Sequence, residues 1–286
     1  MKIQIQVFFD ITKIHDLNCI QWVFLQVISM LKKAIQTITW GDPQHDLFEY
    51  IFDNAQKAGF DGLEIGFRRL IKRKTDDIKV LLEKYNIQIS ASHVGGNLAD
   101  LTQADDEKSG LENIINVLIE LGIKKLVYSG LNVTEDETLN AEINQIKEFS
   151  ERCADHDILL LYHNHDWEFR NNMYIWKRLL EAEIKSLGYA PDLGWAVKSG
   201  YKIMPLLNSL DDSIKILHFK DFFSWDGNVD TCHLGEGIID FTPAWNWLSD
   251  KSDRDIWLTA EQDNAEDADK ACNLNGSYLN KRINLL

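Results

Sequence analysis

Two histidines one residue apart close a short apolar run, Leu159-Leu160-Leu161-Tyr162-His163-Asn164-His165. Imidazole titrates near neutral pH and is also the commonest metal ligand, so the pair offers proton transfer, metal binding or both. On a β-strand, residues two apart point to one face. If the strand runs through Asn164 both rings face one way; otherwise they share the mouth of the following loop. Similar chemistry ends other apolar runs. Glu64 follows Asp61-Gly62-Leu63, His93 follows Ala91-Ser92, and Asp192 opens Asp192-Leu193-Gly194-Trp195. His218-Phe219-Lys220-Asp221 and Glu261-Gln262-Asp263 complete the series.

These residues need a scaffold, and the chain supplies a regular one. Strand-like runs fall at 35–40, 61–66, 87–92, 124–128, 158–163, about 188–192, 214–219 and 256–261. Most are short and rich in Ile, Leu, Val or Tyr, as strands buried on both faces should be. Amphipathic helical patterns lie between them, at Leu47–Lys57, Asp76–Tyr85, Glu112–Leu121 and Glu135–Asp155, and from Glu266 onward. Gly59, Gly122 and Gly188 stand where left-handed helix C-caps are needed. Eight βα units in about 255 residues have the size of a (β/α)8 TIM barrel. An open doubly wound sheet would normally carry a Gly-rich phosphate loop after its first strand, and Trp40-Gly41-Asp42-Pro43 is not one. The expected fold class is therefore α/β, a single-domain TIM barrel over residues 30–286.

Residues 1–29 fit this pattern poorly. Their apolar stretch, Cys19 to Leu31, is too short to span a bilayer. Asp10 and Asp16 before it, Lys32-Lys33 after it and the lack of a small-residue cleavage site make a poor signal peptide. The expectation is that they lie outside the fold, as an extension from an upstream start codon would. Membrane association is the lesser alternative.

The 286 residues carry a net charge of −15, which repels phosphate backbones and anionic membranes and argues against a nucleic-acid partner. A small phosphorylated ligand remains possible through a local basic cluster. Arg68-Arg69 with Lys72-Arg73-Lys74 is one, although a solvated helix face explains it equally well. Four scattered cysteines without a C-x-x-C pair fit reduced thiols in a cytoplasm.

In a TIM barrel the active site forms where strands end and βα loops begin. His163, Asp192, His218 and Glu261 end four successive strands and would converge on one point. Two imidazoles and two carboxylates suit Mn²⁺, Co²⁺, Zn²⁺ or Fe²⁺; an all-oxygen shell would suit Mg²⁺ better. Each residue also has a plainer reading. Asp192 reads as a turn residue, Glu64 as a partner of Arg68, Lys220-Asp221 as a surface ion pair, and Asp263 as the N-cap of the last helix.

The motifs Ala58-Gly59-Phe60-Asp61-Gly62-Leu63-Glu64, Tyr162-His163-Asn164-His165, Asp192-Leu193-Gly194-Trp195, His218-Phe219-Lys220-Asp221, Leu234-Gly235-Glu236-Gly237 and Glu261-Gln262-Asp263 resemble, in order and spacing, the xylose-isomerase-like sugar phosphate isomerases/epimerases. The resemblance runs from about Ile35 to the C-terminus and is closest to the inosose dehydratase and isomerase side. It implies a divalent metal held by strands five to eight, with Asp192, His218 and Glu261 in the family's ligand places. His163 stands where many members carry a glutamate. That departure puts a two-carboxylate epimerisation in doubt, unless Glu168 restores a carboxylate from the loop.

The expected function is metal-dependent isomerisation or epimerisation of a keto sugar, sugar phosphate or cyclitol, with a lyase acting on the same substrates as the alternative. Glu261 is the expected general base, His163 or His165 the opposing proton donor, and Lys220 the group that polarises a substrate oxygen. Glu64, His93 and Glu236 are expected substrate contacts, and Trp40 and Trp195 are expected to pack on the ring. Relatives are commonly dimers or tetramers, so a homo-oligomer is possible. An endonuclease IV-like nuclease and a non-catalytic sugar-binding barrel are more distant alternatives.

Overall fold

The computed structural model describes residues 31–41, 47–95, 104–225, 230–251, 253–263 and 265–286. The expectation for residues 1–29 lies outside the described residues.

Eight parallel strands form one sheet in the order β6-β5-β4-β3-β2-β1-β10-β7. They are β1 (Lys32–Gln36), β2 (Gly62–Gly66), β3 (Gln88–Gly95), β4 (Lys125–Ser129), β5 (Leu159–His163), β6 (Leu187–Tyr189), β7 (Ile216–Phe219) and β10 (Trp257–Ala260). Parallel bridges Tyr189↔Ile214 and Asp192↔His218 join β6 to β7 and close the barrel. The main helices are α1 (Phe48–Lys57), α2 (Phe67–Leu70), α3 (Thr75–Tyr85), α4 (Ala104–Leu121), α5 (Asp136–Ala154), α6 (Arg170–Glu181), α7 (Leu193–Lys198), α8 (Ile203–Leu210), α9 (Thr242–Ser249) and α10 (Ala268–Ile283). Among the described residues, no helix is long and apolar enough to cross a membrane.

Three elements differ from the sequence expectation. The first strand spans Lys32–Gln36, and Thr37–Trp40 is a 3-10 turn. The Gln36 side chain accepts from Ile38 N at 2.5 Å, and Gly41 at φ 65° turns the chain away, so the apolar Ile38 and Trp40 leave the barrel early. The sixth strand stops at Tyr189 and resumes only as the bridge at Asp192. A two-stranded antiparallel hairpin, β8 (Asp221–Ser224) with β9 (Asp230–Cys232), follows β7.

The strand period of two builds the site directly above the packed interior. Ala34, Ala91, Val127, Leu161, Ala190, Ile216 and Trp257 pack together inside the barrel. Two residues further along the same strands come Gln36, His93, Ser129, His163, Asp192 and His218; four beyond Trp257 comes Glu261. Residues of alternate parity, such as Tyr128 and Tyr162, face the helices and join the larger outer core. Thus the layer that carries chemistry is the next inward layer above an apolar one.

Candidate metal centre

His163, Asp192, His218 and Glu261 each offer one ligand atom, and the four atoms lie within 4.8 Å of one another. All four residues are buried. His163 Nε2 stands 3.7 Å from Asp192 Oδ2 and 3.6 Å from Glu261 Oε2. His218 Nδ1 is 2.5 Å from Glu261 Oε2. Local backbone chemistry fixes each ligand. Asp192 caps α7, accepting from Trp195 N at 2.9 Å through Oδ1, which leaves Oδ2 turned to the cluster. The register bridge sets Asp192 directly beside His218.

Asn164, between the two histidines, explains the His-Asn-His spacing. Its Oδ1 accepts from Asp192 N and its Nδ2 donates to Asp192 O, both at 3.1 Å. The fully buried amide therefore substitutes for the ladder that β6 lacks, and it pins one ligand strand to the next. Gly194, just after Asp192, is required by close approach: a Cβ there would lie 2.2 Å from Lys220 O.

The cluster fits a divalent cation. His163 Nε2 and Asp192 Oδ2 are buried and have no hydrogen-bond partner among the described residues, an arrangement that costs roughly 1–3 kcal/mol per group unless a cation satisfies them. Two nitrogens and two carboxylate oxygens are the donor set of a transition ion more than of Mg²⁺ or Ca²⁺.

Charge is distributed unevenly around this point. Burial works against a charged ring at His218, yet Glu64 and Glu261 on either side hold its pKa up at about 10. Burial together with the His218 charge pushes His163 down to about 3. Burial likewise raises Asp192 to about 7, although Lys220 opposes it. Glu261 is buried too, but Lys220, His163 and His218 outweigh that and hold its carboxyl well below the usual range.

Lys220 is 2 % exposed, with Nζ 2.8 Å from Glu261 Oε1, 3.0 Å from Asp263 Oδ2 and 3.9 Å from Asp192 Oδ2. Those carboxylates overcome its burial and keep the ammonium protonated. Its Nζ also lies 4.9 Å from the centre of the Trp195 ring. His165 stacks on Trp167 with ring centres 4.0 Å apart, is 5.2 Å from His163, and is kept neutral by burial and by the nearby His163 and Lys220. The strand ends at His163, so both histidines reach the cluster region, one from the strand and one from the loop.

The structure thus gathers His163, His165, Asp192, Trp195, His218, Lys220 and Glu261. Other expected contacts are placed elsewhere. Trp40 is 2 % exposed, ends the 3-10 turn and packs in the outer core with Nε1 3.4 Å from Asp269 of α10, away from the cluster. Glu64 is fully buried and pairs with His93 and His218, not with Arg68. Glu236 is exposed on the turn after β9. Lys220 and Asp221 are not a surface pair; both are buried and have different partners. The last helix is capped by Asp267, while Asp263 serves Lys220.

Glu168 does not restore a second carboxylate. It is fully buried, accepting from Tyr162 OH at 3.1 Å and from His165 N at 2.8 Å. Tyr162 faces the outer core, so Glu168 braces the loop from the helix side of the strand. Burial raises its pKa from 4.5 to about 8. The folded state then holds a proton that the unfolded chain releases, and the resulting stabilisation is complete below about pH 4.5 and lost as pH rises through about 8. Against Glu168→Gln, the wild-type stability difference should therefore fall by about 1 kcal/mol per pH unit in that window and level off above it. Urea unfolding across the range measures it, and a pH-independent difference would reject a neutral buried carboxyl.

Comparisons with known proteins agree with this fold. Inosose dehydratase of Lacticaseibacillus casei is 22% identical over 252 residues, covering 77% of this chain and 84% of that protein. A sugar phosphate isomerase/epimerase structure from Parabacteroides distasonis superposes with a TM-score of 0.73 at 18% identity, covering 87% of this chain and 93% of the other. D-allulose 3-epimerase from Methylomonas sp., solved with D-allulose, gives 0.72 at 15% identity, covering 88% and 97%. The family model described as xylose isomerase-like TIM barrel matches residues 52–276, a span that holds every ligand of the cluster. The barrel, the inward layer and that match lead to one conclusion: the chain belongs to the xylose isomerase-like TIM barrel family.

Proposed function

We propose that the protein is a divalent-metal-dependent isomerase or epimerase that moves the proton next to the carbonyl of a small keto sugar, sugar phosphate or cyclitol. The observation that carries this reading is the convergence of four ligand atoms within 4.8 Å, beside a protonated lysine and a neutral imidazole. A cation held by His163, Asp192, His218 and Glu261 would supply Lewis-acid polarisation of a substrate oxygen.

The chain's own groups do the rest. Lys220 is held charged by its carboxylate neighbours, so it acts as a donor toward an oxygen that gains negative charge and not as a base. Glu261 is ionised and accepts the α proton. His165 is the group opposite it, because His163 is 1 % exposed and committed to the cluster. Trp195, beside both Lys220 and His165, offers an apolar wall for a ring face.

A lyase is the second reading, favoured by one observation. Glu168 faces outward, so the position across from Glu261 holds imidazole instead of carboxylate, and symmetrical exchange between two carboxylates is not available. Removal of the same α proton beside a leaving hydroxyl, with Lys220 as the acid, would expel water. That reading also accords with the inosose dehydratase similarity. The test is a screen of ketohexoses and inososes in D₂O with Mn²⁺, Co²⁺ or Zn²⁺. Deuterium entering the α position of a product that keeps all its oxygens supports isomerisation; loss of water supports the lyase. No deuterium exchange with any ion would reject both.

A further inference from the structure

The two histidines of the cluster use one ring nitrogen each, and the structure shows where the other nitrogens go. His218 Nε2 lies 3.0 Å from Glu64 Oε2, at ion-pair distance though out of line for a hydrogen bond. Glu64 Oε1 is 2.8 Å from His93 Nδ1. His93 Nε2 is 2.7 Å from Ser129 Oγ, and Ser129 Oγ is 3.5 Å from His163 Nδ1. The chain of contacts runs across β7, β2, β3, β4 and β5 and connects one ligand histidine to the other.

We infer that Glu64, His93 and Ser129 form a positioning belt that sets the tautomers of His218 and His163, so that both present a lone pair to the metal. The direction of every contact follows from one end. An ionised carboxylate only accepts, so Glu64 takes the Nδ1 proton of His93 in a hydrogen bond and holds the Nε2 proton of His218 toward it as an ion pair at 3.0 Å. His93 then has a bare Nε2, which accepts from the Ser129 hydroxyl. The Ser129 oxygen is left to accept from His163 Nδ1. As a result the far nitrogens, His218 Nε2 and His163 Nδ1, hold their protons on the belt, and the near nitrogens, His218 Nδ1 and His163 Nε2, face Glu261 and Asp192; His218 Nδ1 donates to Glu261 Oε2 until a cation takes that proton's place. A carboxylate or hydroxyl on the far nitrogen of a ligand histidine fixes ring orientation and strengthens the donor. The sequence expected Glu64 and His93 to touch substrate; the belt gives them a role through the ligands instead.

The inference rests on the metal reading above, and the experiment separates the two. Co²⁺ affinity is measured by chelator competition for wild type, Ser129→Ala, Ser129→Thr, Glu64→Gln and His93→Ala, with Co²⁺ absorption spectra and metal-free melting temperatures. Ser129→Ala breaks the belt at a partly buried site and serves as the variant that keeps its fold. Glu64→Gln brings an N–H₂ against one of two donors and forces a ring to change tautomer. The expected result is a loss of affinity of roughly 10–100-fold with a changed Co²⁺ spectrum. Ser129→Ala should melt near wild type when metal-free, and Ser129→Thr should recover affinity. Wild type that fails to bind Co²⁺ overturns the metal reading and the belt with it. Wild type that binds, with Ser129→Ala and Glu64→Gln within twofold of it and spectrally unchanged, overturns the belt alone.

Discussion

His218→Ala is expected to lose divalent metal and to lower turnover by at least 10²–10³-fold, about the cost of removing one group that stabilises charge in a transition state. The same change should weaken the metal-free protein. His218 carries its charge between Glu64 Oε2 at 3.0 Å and Glu261 Oε2 at 2.5 Å, and all three side chains are buried. Without the ring, two buried carboxylates face each other, Glu261 left with Lys220 and His163 and Glu64 with His93, a loss of about 3–5 kcal/mol for breaking a buried pair. Added metal should restore little of that stability, because one ligand is gone. His218→Gln, which keeps a neutral polar group of similar reach, should recover part of the stability and none of the metal. Metal content by elemental analysis, melting temperature with and without Mn²⁺, and turnover on the substrate found in the D₂O screen read the three effects. A variant that keeps its metal and its turnover would remove His218 from the site.

Much of the site was legible because a strand is read in steps of two. His163, Asp192, His218 and Glu261 each follow an inward apolar residue by two or four positions, and any barrel assignment with the right strand ends brings them together. What the pattern does not encode is the side-to-side relation of strands. β2 and β3 shift register between Leu63 and Glu64, so that Glu64 pairs with Ala91 and Ser90 is passed over. That bulge turns Ala91 and His93 inward; the alternation running on from Gln88 would have put them outside. Glu64 and His93 were therefore recognisable as site residues, while their partnership through a shared carboxylate was not.

Loop residues show the same limit from another direction. Glu168 lies five positions past His163, and after the strand ends the chain turns into a 3-10 turn over Trp167–Phe169. Its carboxylate consequently meets Tyr162 on the outer side, where burial and not catalysis governs it. Trp40 enters the outer core because Gln36 caps the chain out of the barrel four residues earlier. In both cases a turn of the backbone changed which layer a side chain enters, and no period describes that change.

Asp221→Ala is expected to destabilise the fold by about 3–5 kcal/mol, because its carboxylate is the acceptor for a whole loop. Oδ1 accepts from Phe222 N at 2.9 Å and Ile239 N at 3.1 Å; Oδ2 accepts from Gly235 N at 2.9 Å and Gly237 N at 3.1 Å. The side chain is fully buried, so alanine would leave these donors to find water or stay unpaired, at roughly 1–3 kcal/mol for each that stays buried. Gly237 is glycine for the same reason, since a Cβ there would lie 2.2 Å from Asp221 Oδ1 and 2.5 Å from Phe222 O. Asp221→Asn should recover only part of the loss, as one amide oxygen accepts while the NH₂ meets two N–H donors. Gly237→Ala should reproduce the defect from the other side. A fall in melting temperature of roughly 10 °C follows from the usual conversion for a domain of this size. Hydrogen exchange should rise first at Gly235–Ile239, ahead of the barrel strands, because the acceptor lost is theirs. The hairpin begins at Asp221, one residue past Lys220, so the loosened loop should also raise KM more than it lowers kcat if the loop only shapes the substrate side. An Asp221→Ala protein that melts within 2–3 °C of wild type, on the scale of about 1 kcal/mol, with unchanged exchange at Gly235–Ile239, would show that solvent replaces this carboxylate at little cost.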